Sequence, residues 1–212
     1  MKNRINLEKL AKGFCSTDEL KPALLGVGYN IEENEFCMTD GHKLFVLKNV
    51  SDHISIEFSE SEKNDIILPI EILAEYEKRT KKYSLEYCLK YCRLLVTGDG
   101  SYADPYFIEY QERKSSEKPF KTYAGAECIA ERYPDYKSVI PSWSDLSAVE
   151  QVGVNPVYLN QMWLAVKSIS PKAAPVIRLN FQSEISPILV KFFADHEEIN
   201  FKYDCLIMPV RS

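Results

Sequence analysis

No stretch of the 212 residues approaches the roughly 18–20 consecutive apolar side chains that a membrane-spanning helix requires. The N-terminal Met1-Lys2-Asn3-Arg4-Ile5-Asn6 is basic, but it runs into Leu7-Glu8-Lys9-Leu10 and not into the apolar core of a secretory leader. The expected location is the cytoplasm. Cys-x-x-Cys is also missing. The six cysteines (Cys15, Cys37, Cys88, Cys92, Cys128, Cys205) are scattered, and His42, His53 and His196 stand apart from them. Neither a zinc site nor a disulfide framework is expected, and the thiols read as reduced core side chains. Phosphate-binding Gly-x-x-x-x-Gly-Lys loops, Gly-x-Ser-x-Gly elbows and His-Glu-x-x-His pairs do not occur. Asp99 with Asp104, and His42 with Cys37 or Asp40, come nearest to catalytic pairs, and no sequence feature places either in a pocket. No catalysis, cofactor or metal is therefore expected. An excess of positive charge is absent as well. Lys+Arg is 26 against 31 Asp+Glu, a net charge of −5, which excludes a uniformly basic nucleic-acid binder but not a single basic face.

What remains is a globular chain with 45% hydrophobic and 27% charged residues, long enough for one or two domains. Leu7, Leu10, Ala11 and Phe14 recur at helical spacing and predict a first helix, which Gly13 weakens near its end. Ser16-Thr17-Asp18-Glu19 has the form of a capping box for a short turn. Leu24 to Ile31 reads as a strand and Glu32-Glu33-Asn34 as a turn. Glu35 to Thr39 reads as the returning strand, and Asp40-Gly41 as a tight turn into His42 to Leu47. Ile54 to Phe58 alternates as a further strand.

After the short apolar Asp65 to Leu68, Pro69 opens a helix through Arg79 that ends in cations at Lys78, Arg79, Lys81 and Lys82. Tyr83 to Tyr91 fits period two better than a helical repeat, although Leu85, Cys88, Leu89 and Cys92 would also satisfy a helix; it is read as a strand, with Cys88 and Cys92 on one face. Pro105 to Tyr110 is another strand, and Arg113 to Pro119 a polar, mobile loop. Arg132 to Pro141 carries two prolines that forbid a central strand. Asn155-Pro156 caps a third helix whose apolar face is Tyr158, Leu159, Met162, Trp163 and Val166. Strands follow at 176–181, 188–193 and 203–208.

One helix with about three strands thus occurs three times, near residues 1–60, 64–130 and 150–212. The expected fold class is α+β, with each helix covering one face of an antiparallel sheet.

Three segments carry a family resemblance. Lys21-Pro22-Ala23-Leu24-Leu25-Gly26-Val27 with Thr39-Asp40-Gly41-His42-Lys43-Leu44 is the first. Tyr133-Pro134-Asp135-Tyr136-Lys137-Ser138-Val139-Ile140-Pro141 is the second. Asn155-Pro156-Val157-Tyr158-Leu159 with Leu206-Ile207-Met208-Pro209-Val210-Arg211 is the third. In this order they resemble the bacterial sliding clamp, the β subunit of DNA polymerase III. The first is similar to the Pro-x-Leu-x-Gly-Val strand and Thr-Asp-Gly-His-Arg-Leu turn of its middle domain. The second is similar to the Phe-Pro-Asp-Tyr-Arg-Arg-Val-Ile-Pro segment that ends that domain. The third is similar to the Asn-Pro-x-Tyr-Leu helix and Met-Pro-Met-Arg tail of its last domain. Lys43 and Ser138 stand where the family pattern has arginines, and Val210 where it has methionine.

The resemblance implies DNA-clamp-like repeats, three in number: a complete domain at 1–141, a connector at 142–149 and a half-domain at 150–212. The family's first domain and the first half of its last have no counterpart, so the usual contact that closes the ring cannot form in the usual way. The resemblance also implies a peptide-binding pocket. Carried over by position, its lining is Leu24, Thr39, Gly41, His42, Lys43, Leu44, Pro134, Tyr136, Val139, Leu206, Met208, Pro209, Val210 and Arg211. Its partners would be clamp-binding peptides of DNA polymerases, the clamp loader and repair proteins. The apolar members suit a Leu or Phe anchor, and Lys43 and Arg211 an acidic or carboxamide group.

Clamps also hold duplex DNA non-specifically through cations on their helices. Here those would be Lys9, Lys12, Lys78, Arg79, Lys81, Lys82 and Lys167. The function implied is that of a processivity factor. If a ring takes twelve repeat units, four chains of three would supply them as a homo-oligomer. The alternative is a non-encircling module or decoy, of a phage or mobile element, that captures clamp-binding proteins. An unrelated α+β enzyme is the third reading.

Overall fold

The computed structural model describes residues 4–59, 65–98, 100–101, 105–141, 152–169, 176–183, 185–194, 197–198 and 203–210. The connector expected at 142–149, Asp99, Asp104, His196 and Arg211 lie outside them.

The first unit opens with α1 (Leu7–Phe14), where the Asn6 side chain accepts a hydrogen bond from the Lys9 amide and caps the helix. Its stripe of Leu7, Leu10, Ala11 and Phe14 is buried as predicted. Pro22–Leu24 is a 3-10 turn and not the start of a strand. The strands β1 (Val27–Asn30), β2 (Glu35–Thr39), β3 (Lys43–Lys48) and β4 (Ile56–Phe58) follow. The second unit contains β5 (Ile66–Leu68), α2 (Ile70–Thr80), α3 (Leu85–Tyr91), β6 (Cys92–Thr97), β7 (Phe107–Glu112) and β8 (Lys121–Glu127). The third contains α4 (Pro156–Ile169), β9 (Val176–Asn180), β10 (Ile188–Ala194), the two-residue β11 (Glu197–Glu198) and β12 (Tyr203–Ile207).

Two sheets cover a layer of helices. The larger runs β5-β1-β2-β3-β12-β10, with β9 on the far side of β10 and β11 against its end; the smaller runs β4-β6-β7-β8. Among the described strand pairs all but one are antiparallel; β4 joins β6 in parallel. In the helix layer α1 packs against both α2 and α4. Gly13 is the reason α4 comes so close, since a Cβ there would lie 2.6 Å from the Ala165 Cβ. One apolar cluster spans all three units between helices and sheets. A second, smaller one lies where β2, β3, β10 and β12 meet the segment after β8: Cys37, Leu44, Val46, Leu189 and Leu206, with Tyr133, Tyr136 and Ile140 packed on them.

The stretch predicted as a strand at Tyr83 to Tyr91 is the helix α3. Ser84 caps it by accepting from the Tyr87 amide, and the tilted rings of Tyr83, Tyr87 and Tyr91 pack in succession with centroids 4.3 and 4.8 Å apart. Aromatic spacing of four satisfies period two as well as a helical turn, and the cap decides between them. The strand begins only at Cys92. Within α2, Glu77 is buried. Arg4 meets its carboxylate at 2.5 Å and the Leu7 amide donates to it at 3.0 Å, which supplies the partners a buried charge needs. Burial still pushes the Glu77 carboxyl above its ordinary value, against the pull of Arg4. All six thiols are buried and unbridged.

Candidate functional site

The turn between β2 and β3 is set by its own side chains. Gly41 sits at φ +91°, a left-handed conformation that glycine adopts without strain. Thr39 Oγ1 accepts from the Gly41 amide at 3.0 Å and donates to the Lys43 carbonyl at 2.7 Å. Asp40 Oδ1 accepts from the amides of His42 and Lys43 at 2.9 and 3.0 Å.

The distant end of the chain is tied to this turn. β12 runs beside β3 with Leu206 opposite Leu44 and Ile207 opposite Lys43, and beyond it the Met208 amide donates to the His42 carbonyl at 2.7 Å. The Val210 amide continues to the Gly153 carbonyl at 2.8 Å, just before α4. From α4, Tyr158 stacks on the His42 ring with centroids 5.4 Å apart and planes at 13°.

The third wall is the irregular segment after β8. Tyr133 lies against β1 because Gly28 has no side chain; a Cβ there would come 2.7 Å from the ring. Tyr136 donates its hydroxyl proton to the Glu35 carboxylate at 3.0 Å, and burial followed by this contact raises its pKa. The next residues form a 3-10 turn, Lys137–Val139, with Ser138 Oγ donating to the Asp135 carbonyl and Lys137 meeting Glu33 at 3.0 Å.

Between these walls lies a hollow of about 250 Å³, lined by Leu24, Thr39, Gly41, His42, Lys43, Leu44, Pro134, Asp135, Tyr136, Val139, Leu206 and Met208. Leu44, Leu206 and Tyr136 of the smaller apolar cluster are among them. Val139 and Met208, 45% and 37% exposed, form the lips of the hollow. Eleven of the twelve lining residues belong to the set carried over from the sequence; Asp135 is the addition. Pro209 and Val210 lie beyond the lining, Val210 on the bridge to Gly153.

Lys43 differs in role from the sequence reading. Its ammonium is buried, paired with Asp40 and held 5.5 Å from the Tyr158 ring centre, so it braces the turn and does not offer a cation to a ligand. The same pair claims the carboxylate that a His42–Asp40 dyad would use. A second hollow of about 350 Å³ shares Pro134, Asp135 and Tyr136 and extends along β1 to Asp65, Arg132 and Lys137.

The seven cations expected on the helices are less uniform. Lys12 is paired with Glu8 at 2.6 Å, and Lys78 and Arg79 share Glu75 at 3.2 and 2.5 Å. Lys82 lies over Tyr83 and Lys167 over Trp163. Lys9, Lys81, Lys82 and Lys167 are exposed, with no ion pair among the described residues. On α4, Val157 and Leu164 are more than half exposed, so that helix presents apolar surface as well as the Lys167 charge. No group of His, Cys, Asp and Glu among the described residues has the arrangement of a metal site, and no helix among them is long and apolar enough to cross a membrane.

Sequence reasoning missed Gly28, Tyr133 and Tyr158 as builders of this site. Tyr158 stood on the predicted apolar face of its helix, where ring stacking on His42 carries no separate signal. For Gly28 the only clue was a glycine inside a strand, which marks a close approach by something else.

Repeated helix-on-sheet units, sheets continuing from one unit into the next and a row of helices beneath them are the DNA-clamp fold. Solved structures place it with the sliding clamps of bacterial DNA polymerase III, the β subunit. The Pseudomonas aeruginosa clamp aligns at TM-score 0.55 and 15% identity over 97% of this chain and 64% of its own. The Bacillus subtilis clamp aligns at 0.53 and 16% over 98% and 62%. The Bartonella birtlesii clamp, solved with griselimycin bound, aligns at 0.54 and 14% over 98% and 64%. This chain therefore has the sliding-clamp fold in shortened form, spanning less than two thirds of those clamps. No protein-family model matches it. No curated protein matches it by sequence.

Proposed function

We propose that this chain is a clamp-like, non-catalytic processivity factor of DNA replication or repair, working in the cytoplasm. Its hollow takes the clamp-binding peptides of polymerases, clamp loader or repair proteins. Residues 1–141 serve as a complete clamp domain and 150–212 as a half-domain joined by 142–149. A homo-oligomer of such chains surrounds duplex DNA with its helix layer inward.

The observation that carries this reading is the hollow itself. A main-chain hydrogen bond ties the turn near residue 41 to the strand end near 208, and the Tyr136 hydroxyl on Glu35 holds the loop near 136 beside them, around a largely apolar hollow. A hollow of that size holds one or two large apolar side chains, with lips that complete their burial. Turn amides and carbonyls at its edge suit the main chain of an extended peptide.

The test is direct binding. A labelled peptide ending in a Leu-Phe anchor should bind at micromolar concentration and be displaced by its unlabelled form. Failure of several such peptides to bind would reject the reading. Encirclement has its own test: the oligomer should be retained on circular duplex DNA and slide off the linear form.

A further inference from the structure

Charge is spread unevenly over this acidic chain. Residues 78–93 and 112–121 together hold 10 of its 26 lysines and arginines and only 3 of its 31 acids. The two segments meet at one end of the smaller sheet. The Arg113 amide donates to the Tyr91 carbonyl at 2.9 Å, the Arg113 guanidinium donates to the Lys90 carbonyl at 3.4 Å, and Lys121 lies opposite Glu112. Of the three acids, Glu86 and Glu117 are exposed, and Glu112 accepts from the hydroxyls of Tyr83 and Tyr110 at 3.1 Å each. Lys82, Lys90, Lys114, Lys118 and Lys121 are exposed and, like Arg113, form no ion pair among the described residues. A local excess of cations on a chain of net charge −5 is a field for anions.

Aromatic rings stand among these cations. Tyr83, Tyr87 and Tyr91, one turn apart on α3, form a half-buried row with centroids 4.3 and 4.8 Å apart. Tyr83 and Tyr87 pack against the main core cluster, which fixes the row in place. A lysine lies over each end: the Lys82 ammonium 4.9 Å from the Tyr83 ring centre and the Lys90 ammonium 5.3 Å from that of Tyr91. The Ser116 hydroxyl, followed by Lys90, holds the Tyr91 hydroxyl below its ordinary pKa, so the loop after β7 reaches the row. Next to it the guanidinium groups of Arg93 and Arg113 lie 3.9 and 4.5 Å from the Phe120 ring centre.

We propose that this surface binds single-stranded nucleic acid, with unpaired bases on the tyrosine row and phosphates on the cations around it. Aromatic platforms inside a positive field hold single strands without reading sequence, because every base has a face to stack and every nucleotide a phosphate. A base extends the row at either end, and the ammonium over that ring passes to the phosphate. Paired bases are already stacked on their neighbours, so a duplex gains only the charge and not the rings. From Tyr83 to Tyr91 the helix rises about 12 Å, room for about three nucleotides at stacked spacing. The site is distinct from the peptide hollow and from duplex held by the helix layer, so failure of either leaves it standing.

The test is fluorescence anisotropy on the full chain at low salt, with a labelled thymidine oligonucleotide, a uridine oligonucleotide and a duplex, all of about twelve nucleotides. A single strand should bind more tightly than the duplex, and the better of the two sugars names DNA or RNA as the source. Tyr87→Leu/Tyr91→Leu keeps apolar bulk on α3 and all the cations; it should weaken the single strand about tenfold or more and leave the duplex unchanged. Lys90→Gln/Lys118→Gln, at two exposed positions, should flatten the salt dependence. Independently, a bromouracil-substituted strand irradiated on the wild type should cross-link to Tyr83, Tyr87 or Tyr91. Duplex bound as tightly as either single strand overturns the proposal. So do a tyrosine variant that binds like wild type, cross-links confined to other residues, or polyglutamate of equal charge that binds as tightly and loses as much in the tyrosine variant, which would assign the surface to an acidic polypeptide.

Discussion

The outer face of the larger sheet and the helix layer beneath it each gather residues from all three units, but by different means. On the outer face, Leu44 and Leu206 are neighbours because β3 and β12 share a register, and Met208 is fixed by a main-chain bond to His42. That joint between β3 and β12 rests on main-chain pairing and not on long side chains finding each other. On the helix face the charged groups sit on flexible stems one turn from carboxylates, and three of the seven cations are already matched by Glu8 and Glu75. An apolar hollow set by strand register is a defined object before any ligand arrives. A field of surface lysines is worth only its net charge, and salt screens it.

The contrast can be broken from either side. The largest effect belongs to the hollow: Leu44→Ala with Met208→Ala should weaken an anchoring peptide about 30-fold, near 2 kcal/mol, as for buried hot-spot side chains. Isothermal titration checks it, with circular dichroism to show that the fold survives the loss of Leu44. On the helix face, changing Lys9, Lys81, Lys82 and Lys167 to glutamine should lower affinity for duplex DNA about tenfold and flatten its dependence on salt. Removing Glu8 and Lys12 together should leave that affinity unchanged. Equal DNA binding by the four-lysine variant would make those charges ordinary surface.

Alkaline pH probes both sides of the larger sheet through buried thiols, Cys15 in the main cluster and Cys37 in the smaller one. Burial pushes the Cys15 thiol up to about 12 from 9.0, and the Cys37 thiol well above 9.0. Folded-state pKa values that are raised mean stability fully present below the unfolded value and lost as pH climbs toward the folded one. Near pH 10 the loss should be about 1 kcal/mol per thiol, read as a fall in the urea midpoint that Cys37→Ala reduces. The smallest effect is expected of Tyr136→Phe. It removes the hydrogen bond to Glu35 and should cost about 1 kcal/mol in stability while leaving the hollow's shape unchanged.

How much of this was legible in the sequence follows the same division. Helix α1, the Asp40-Gly41 turn and the Asn155-Pro156 helix start are local features, written in caps, stripes and a glycine with positive φ, and the structure has them where the sequence puts them. The helix α3 was hidden because tyrosines four apart mimic an alternating strand, and β8 because Lys-Thr-Tyr-Ala-Gly-Ala-Glu lacks the apolar alternation of a buried strand. The hollow's lining came from motif resemblance and not from periodicity, since residues on three separate segments share no local signal. The resemblance misjudged the role of Lys43, because the pairing that buries its ammonium depends on how Asp40 is turned.

The most direct test is a titration of one fluorescent Leu-Phe-ended peptide against the wild-type chain and against Val139→Ala/Met208→Ala, two exposed lips whose truncation spares the core. Saturable micromolar binding to the wild type, weakened about tenfold or more in the variant, is the expected result. Binding that is equal in both, or absent from the wild type, contradicts it.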